Sequence, residues 1–396
     1  MIRIVFVDDE INVLQAMRRT MHCMRDEWNM EFVSSGAAAL ESLTKTPADV
    51  LVCDMRMPGM DGWQVLAAVK TLWPQTVRMV LSGHAEPGAI MRSVGAAHQY
   101  LAKPCDGASL KAAIVQIQSL RRLLSNDRLA TLVGRVGMLP TAPHIFQELL
   151  TCLQNPASSI TDIAGIITRD VAMTANIMKL VNSAFFGSRR PITTPDRAVA
   201  YLGLDTLGAL VLGHSVFKSG AVEDATVFSH EQLWQHSLRT AIAARAIALH
   251  EGFPIAAAEE AFLAGVLHDV GKMILRKRVP SADEPELSRE EIVTQMRVYH
   301  AEVGAYLLGL WGFPTPIVEA VALHHTPSLA SGTGLGLPAI IHIADRLTHR
   351  NDATSPAAGA GAVDLEPGLL QKLALEDHLP QWIESLEALD KETATP

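Results

Sequence analysis

The chain has 396 residues, 48% of them hydrophobic, which is enough for roughly two or three domains with separate cores. Its 33 basic and 42 acidic residues leave a net charge of −9, excluding a general electrostatic footprint for nucleic acid or an anionic membrane. Four cysteines (Cys23, Cys53, Cys105 and Cys152) follow neither a disulfide nor a zinc spacing and are expected to be reduced, buried thiols.

The opening MIRIVFVDDE runs straight into a strand pattern without a charged-then-apolar leader, and no apolar run reaches the roughly 18 residues of a membrane span. A cytoplasmic protein with no membrane contact is expected. Strand-like runs follow at IRIVFV, MEFVSS, DVLVCD, VRMVLSG and HQYLA, alternating with helical patterns at 10–24, 36–45, 62–73, 86–95 and 106–124. That alternation predicts a five-stranded parallel sheet covered on both faces. Such sheets collect ligands at the carboxyl ends of their strands.

Polar residues fall at those ends: Asp8 and Asp9 after the first strand, Asp54 on the third, Ser82 on the fourth and Lys103 after the fifth. Three converging carboxylates repel unless a cation sits among them, and hard oxygen ligands suit magnesium. A carboxylate beside magnesium and a lysine is placed to attack a phosphoryl group, which makes Asp54 the candidate nucleophile. Taken singly, these residues would be turn residues and solvated charges.

VDDE (7–10), CDMRMPGMDG (53–62), LSG (81–83) and YLAKP (100–104) together closely resemble the response-regulator receiver domain, in order and spacing. The resemblance implies a flavodoxin-like α/β fold and phosphorylation of Asp54 by a sensor histidine kinase. It implies Mg2+ held by Asp8, Asp9, Asp54 and the Arg56 carbonyl, with Lys103 on the phosphoryl oxygens. Ser82 and Tyr100 fall on the positions of the switch pair, although an aromatic ending an edge strand also serves as simple packing.

From Asp106 onward Leu110, Ala113, Ile117, Leu120 and Leu124 recur at alternating three- and four-residue steps. Two readings stay open: a short coiled-coil seam that would make a homodimer, or the last receiver helix packing on its own sheet before a linker. Residues 128–222 read as amphipathic helices with sparse, unclustered polar residues. A recognition helix reading AVAYLGLDTLGALVL would carry almost no base-reading side chain, so direct nucleic-acid binding is not expected. Arg189 and Arg190 read as a solvated turn.

Nine of the 15 histidines lie between positions 230 and 349, on segments that read as a helical bundle. VLHDVGKMIL places His268 and Asp269 in the middle of an apolar helical segment. Histidine and aspartate on inner faces are costly unless hydrogen-bonded or bound to metal, so convergence on a metal is one resolution. A network of imidazoles bonded to one another and to backbone carbonyls is the other.

MLPTAP, NSAFFG, LWQHS, LAGVLHDVGK, HAEVGAYLLGLWGFP, LHH and IADRLT, spread over 138–350, resemble the HD phosphohydrolase superfamily and within it the HDOD output domains. The resemblance maps a minimal metal set onto His236, His268, Asp269 and Asp345, and a second-metal set onto His300, His324 and His325. Imidazole and carboxylate ligands around a shared Asp269 suit iron or manganese. Lys272 is either a phosphate contact or a surface lysine. His342 has no family position and reads as core or second shell. TPSLASGTG after LHH lacks the acidic and GYP residues that accompany cyclic-dinucleotide hydrolysis in related HD-GYP enzymes.

The expected organisation is a receiver (1–124), a helical linker (125–137), the N-terminal helical part of an HDOD domain (138–222), an HD-like all-α bundle (223–350), and a linker with C-terminal helices (351–396). A small-residue, turn-rich stretch at 351–363 precedes two amphipathic helices expected to dock on the bundle. The expected function is a phosphorylation-switched response regulator whose output binds a downstream signalling protein or a signalling ligand such as a cyclic nucleotide. The alternative is a metal-dependent phosphohydrolase under receiver control.

Overall fold

Ile4, Val5, Phe6 and Val7 are all buried, so β1 (Ile2–Val7) has apolar contacts on both faces and takes a central place in a sheet. The structure, a computed structural model, describes residues 1–82, 95–103, 105, 107–120, 127–155, 157–183, 191–212, 230–276, 289–332, 334–350 and 365–393. Outside these residues lie Gly83, Pro104, Asp106, Leu124, Arg189, Arg190, the 351–363 stretch, all but the end of the helix expected over 86–95, and AFFG of NSAFFG. The side chain of Ser82 is likewise outside them.

Four further strands, β2 (Trp28–Val33), β3 (Val50–Asp54), β4 (Val77–Ser82) and β5 (Gln99–Ala102), pair in parallel in the order β2-β1-β3-β4-β5. The register sets Val7 beside Cys53 and Asp54 beside Leu81, and aligns Leu81 with Leu101. Asp8 therefore leaves β1 level with Asp54, and Lys103 emerges just beyond. Helices Gly36–Lys45 and Gly62–Leu72 begin at side-chain caps, Ser35 on the Ala38 N–H and an Asp61–Gln64 capping box.

Two expectations for this region change, and a third had two readings. The 10–24 pattern forms an α-helix over Ile11–Thr20 and then a 3-10 turn over Met21–Met24, because the buried pair Met21 and Met24 is spaced by three, which suits the tighter turn equally. Of the cysteines only Cys53 is buried; Cys23 is exposed and Cys105 and Cys152 are half-buried. The helix Gly107–Leu120 buries Leu110, Ile114, Ile117 and Leu120 within its own unit, a 3.6-residue stripe that includes Ile114 and leaves Ala113 half-buried. Its first turn lies against Thr20 and Met21, and its last against Gly309, so the stripe is occupied within the chain.

The chain clusters into two units: Met1–Thr168, Ala172–Ala221 and Tyr306–Phe313 form one; Arg169–Val171, Val222–Ala305 and Pro314–Pro396 form the other. In the first, the sheet is joined by helices Asp127–Gly134, Pro143–Gln154, Ile160–Thr168, Pro195–Leu202 and Leu204–Leu212, together with most of Val171–Val181. Polar groups here are more organised than their sparseness in sequence suggests. Asn176 clamps Leu139 through both its N–H and its carbonyl at 3.0 and 2.9 Å. Buried Lys179 donates to the Ala97 and Gly137 carbonyls and lies 4.4 Å over the Trp311 ring.

The second unit is helical: His230–His250, Ile255–Leu267, Val270–Arg276, most of Arg289–Leu310, Thr315–Leu323, Leu337–Arg350, Leu369–Leu373 and Leu379–Thr393. His230–His250 ends in a left-handed Gly252 (φ 76°), with Gly252 N–H on the Leu249 carbonyl and Phe253 N–H on that of Ala248, a Schellman cap. His268 and Asp269 do not lie mid-helix. They form the turn between Ile255–Leu267 and Val270–Arg276. Gly271 makes that turn possible, since a Cβ there would overlap the His300 carbonyl. No described helix is long and apolar enough to cross a membrane.

Candidate functional site

At the carboxyl end of the sheet, Asp8 and Asp54 are buried and Lys103 bridges them, its Nζ 2.6 Å from Asp8 Oδ2 and 2.6 Å from Asp54 Oδ1. The Arg56 N–H donates to Asp54 Oδ2 at 2.9 Å and the Glu10 N–H to Asp8 Oδ1 at 3.0 Å. Burial lowers the Lys103 pKa, but the bonds to Asp54 and Asp8 outweigh it and raise the net value. Asp9 is half-buried at the same strand end, and Tyr100 is buried on β5. Three carboxylates and the carbonyl of Arg56 at one strand edge are a hard-oxygen set that could hold magnesium.

The second unit brings the predicted histidines and aspartates together. His236 comes from His230–His250, the pair His268–Asp269 from the turn, and His300 from Arg289–Leu310. His324 and His325 follow the end of Thr315–Leu323, and Asp345 comes from Leu337–Arg350. All are buried except His325, which is half-buried.

Asp345 Oδ1 lies 3.0 Å from His236 Nε2 and 3.6 Å from His268 Nε2. Asp269 divides its oxygens: Oδ2 is 3.5 Å from His268 Nε2 and 3.7 Å from His236 Nε2, whereas Oδ1 is 3.2 Å from His300 Nε2. His300 Nε2 is in turn 3.3 Å from His324 Nε2 and 3.0 Å from His325 Nε2. Three overlapping groups result: His236, His268 and Asp345; His268, Asp269 and His324; and His300, His324 and His325, each with ligand atoms within 4.8 Å of one another.

The outer ring nitrogens fix the tautomers. Nδ1 of His268 bonds the Gly265 carbonyl at 2.7 Å, that of His300 the Met296 carbonyl at 2.5 Å, and that of His324 the Val321 carbonyl at 2.8 Å. A carbonyl only accepts, so each Nδ1 carries the proton; the neutral rings of His300 and His324 therefore turn an unprotonated Nε2 inward, whereas His268 Nε2 faces the Asp345 and Asp269 carboxylates. Such Nε2 atoms cannot hydrogen-bond one another. Burial lowers His300 against the opposing pull of Asp269, and burial with the neighbouring histidines holds His324 well below the ordinary histidine range; His325 is pushed down to about 4 by burial and then by His300. Lone pairs of His300 and His324 therefore converge where protons are disfavoured, a donor set that fits a divalent transition ion, whereas His325 faces the Arg346 guanidinium through Nδ1 at 3.4 Å.

Charge in the cluster is carried by its carboxylates. Burial alone would raise Asp269, yet Lys272, His268 and His300 hold it well below the usual carboxylate range. Burial likewise opposes ionisation of Asp345, and hydrogen bonds from His236, His268 and His349 overcome it. His236 is lowered by burial ahead of its bond to Asp345, whereas His268 is net raised, burial being outweighed by Asp269 and Asp345. Lys272 Nζ sits 2.5 Å from Asp269 Oδ2, so it is an ion-pair partner of the cluster.

His342 bonds the His324 carbonyl through Nδ1 at 2.7 Å and accepts the Glu366 N–H at 2.9 Å on Nε2, which places it behind His324. One neighbour was not singled out by motif: His349 lies 3.3 Å from Asp345 Oδ1 and stacks on His236 at 4.4 Å. The four-residue step from Asp345 on one helix was the available signal.

Residues 4–115 match the response regulator receiver domain family and residues 139–327 the HDOD domain family. Asp345 and His349 lie beyond the second match. An uncharacterized protein of Treponema pallidum (strain Nichols) is 30% identical over 205 residues, 50% of this chain and 39% of that protein. The hydrogenase transcriptional regulatory protein HoxA of Cupriavidus necator is 38% identical over 103 residues, 26% of this chain and 21% of that protein. The chain spans less than half the length of these curated relatives. Among solved structures, the MmoQ response regulator from Methylococcus capsulatus str. Bath matches with 23% identity and a TM-score of 0.46, covering 62% of this chain and 98% of that one.

Proposed function

For this chain, a two-component response regulator that joins a receiver domain to an HDOD domain, we propose phosphoryl acceptance at Asp54 controlling a metal-loaded output cluster that binds a partner or signalling ligand. In the receiver, an Asp54 carboxylate oxygen attacks the phosphorus of a phosphodonor such as the phosphohistidine of a kinase. The new O–P bond forms as the donor P–N bond breaks, and the departing imidazole takes a proton. Asp8, Asp9, Asp54 and the Arg56 carbonyl would hold Mg2+, and Lys103 is close enough to transfer one of its two carboxylate contacts to a phosphoryl oxygen. Ser82 and Tyr100 are assigned as the hydroxyl and ring that follow that charge, biasing a conformational equilibrium.

The observation that supports the output reading is the inward convergence of unprotonated Nε2 atoms from His300 and His324. His236, His268, Asp269 and Asp345 would hold one iron- or manganese-class ion, and His300, His324 and His325 with Asp269 a second. The division of the Asp269 oxygens between the two groups favours a second reading, a phosphohydrolase. In that reading the ions supply Lewis acidity toward a phosphoryl oxygen. Asp269 then holds the two sites in register, His342 fixes the His324 backbone, and Lys272 exchanges its bond to Asp269 for a substrate phosphate. The absence of the acidic and GYP residues after His325 supports binding ahead of cyclic-dinucleotide turnover.

The test pairs two assays on purified full chain. Wild-type protein with Mg2+ should take up phosphoryl from a small phosphodonor, and Asp54→Asn should not; uptake at the wild-type rate by the variant sinks the nucleophile assignment. Metal-loaded protein that cleaves a cyclic dinucleotide or a generic phosphodiester, with loss of cleavage in Asp269→Asn, would put the hydrolase reading ahead.

A further inference from the structure

Away from the central cluster, the Schellman cap at Gly252 fixes His250 and Glu251 as the last helical residue and the cap residue of His230–His250. The 3-10 turn Glu376–His378, which leads into Leu379–Thr393, brings His378 to the same point. His378 Nδ1 is 2.8 Å from Glu251 Oε1, and His250 Nε2 is 4.0 Å from that oxygen. One ligand atom from each of the three residues lies within 4.8 Å of the others. Trp382, buried and on the first turn of the C-terminal helix, donates its indole N–H to Glu251 Oε1 at 2.9 Å, and Gln381 Oε1 is 3.0 Å from His250 Nε2.

We infer that His250, Glu251 and His378 form a zinc site that staples the C-terminal helix to the His230–His250 helix. Two imidazoles and a carboxylate are zinc ligands by type, and zinc takes three protein ligands with a fourth position left for water. Tetrahedral bonds of about 2.0–2.1 Å place ligand atoms roughly 3.3 Å apart, a spacing that the 2.8 and 4.0 Å separations bracket. The Trp382 N–H orients the carboxylate from behind, the role outer hydrogen bonds play around metals.

The half-exposed rings of His250 and His378 give the ion access from solvent, unlike the central cluster. Binding requires His378 to move its proton from Nδ1, and His250 its proton from Nε2 where Gln381 Oε1 accepts it, each to the other ring nitrogen, so no net proton is lost. Because Glu251 and His378 are 127 positions apart, an ion bound only in the folded arrangement ties the chain's C-terminal helix to a distant part of the bundle.

Zinc titration of metal-stripped full chain against a chromophoric chelator tests this, comparing wild type with His378→Asn and His250→Gln. Both substitutions keep a polar side chain at the position, and His250→Gln alters an accessible side chain, so at least one variant retains the fold by circular dichroism. Zinc held by the central cluster is common to all three proteins and cancels. Each variant should bind one zinc fewer than wild type, and zinc should slow amide exchange across Leu379–Thr393 in wild type alone. Equal zinc uptake by wild type and a folded variant, with no zinc-dependent protection of that helix, overturns the assignment.

Discussion

The Nε2 atoms of His300 and His324 face each other at 3.3 Å while the Nδ1 of each donates to a backbone carbonyl of its own helix. Two neutral rings in that arrangement oppose lone pairs across a buried gap. A divalent ion relieves the opposition, as does a proton, but burial pushes the proton off both rings. The consequences can be measured at individual residues.

Lys272 and Asp269 form the one direct ammonium–carboxylate contact described in the cluster. Lys272→Met should destabilise metal-free protein by about 1–3 kcal/mol, since it leaves a buried carboxylate with only histidine partners. Added divalent metal should close most of that gap. Denaturant unfolding of both proteins with and without metal checks this; an equal deficit in the two conditions would separate Lys272 from the metal site.

Gly271 lies where a side chain would meet the His300 carbonyl and the Gly304 backbone. Gly271→Ala should therefore cost about 1–3 kcal/mol of stability through forced separation of the two helices. It should also weaken metal uptake, because that separation carries His268 and Asp269 away from His300. Thermal unfolding together with metal analysis reads both effects.

Acid should destabilise the metal-free bundle in a defined window. The folded pKa of His325 is depressed from 6.5 to about 4, so its contribution to stability is present above pH 6.5 and is lost as pH falls toward about 4. His236, His300 and His324 act in the same direction, as do the depressed carboxylates Asp269 and Asp345 at lower pH. His268 is raised and acts oppositely: its stabilisation is present below 6.5 and is lost as pH rises through its folded value. The sum predicts falling stability from pH 6.5 toward 4, measured by denaturant midpoint; a flat profile would contradict it.

In the receiver, Lys103 bridges Asp8 and Asp54. Lys103→Met should lower stability in chelator by about 1–3 kcal/mol, and Mg2+ should restore more stability to the variant than it adds to wild type. Melting curves with and without Mg2+ decide this.

Much of this was legible in sequence because the chemistry sits at predictable places. Asp8, Asp54 and Lys103 lie at strand ends of a parallel sheet, and the parallel pairing follows from the alternation of strands and helices. The clustering of histidines was legible from polar side chains on apolar helices, and the individual members of the set from the resemblance to HD-type domains. What was not legible depends on local spacing that fits two geometries or on distant pairing. Met21 and Met24 suit an α-helix and a 3-10 turn alike, and Leu110, Ile117 and Leu120 lie on a coiled-coil seam and on a 3.6-residue stripe that also takes in Ile114. The break at His268–Asp269 needs the His300 backbone opposite Gly271, which no local pattern reveals. His250, Glu251 and His378 come together across 127 positions without a shared motif.

We propose that the His236, His268, Asp269, His300, His324, His325 and Asp345 cluster holds metal. Elemental analysis of full chain purified after metal-replete expression tests it most directly, with His300→Asn/His324→Asn as the control for ions held elsewhere. Wild type should carry about one or two equivalents of iron- or manganese-class metal per chain, falling by about one in the control. Transition metal below roughly a tenth of an equivalent in wild type, or the same content in both proteins, would contradict it.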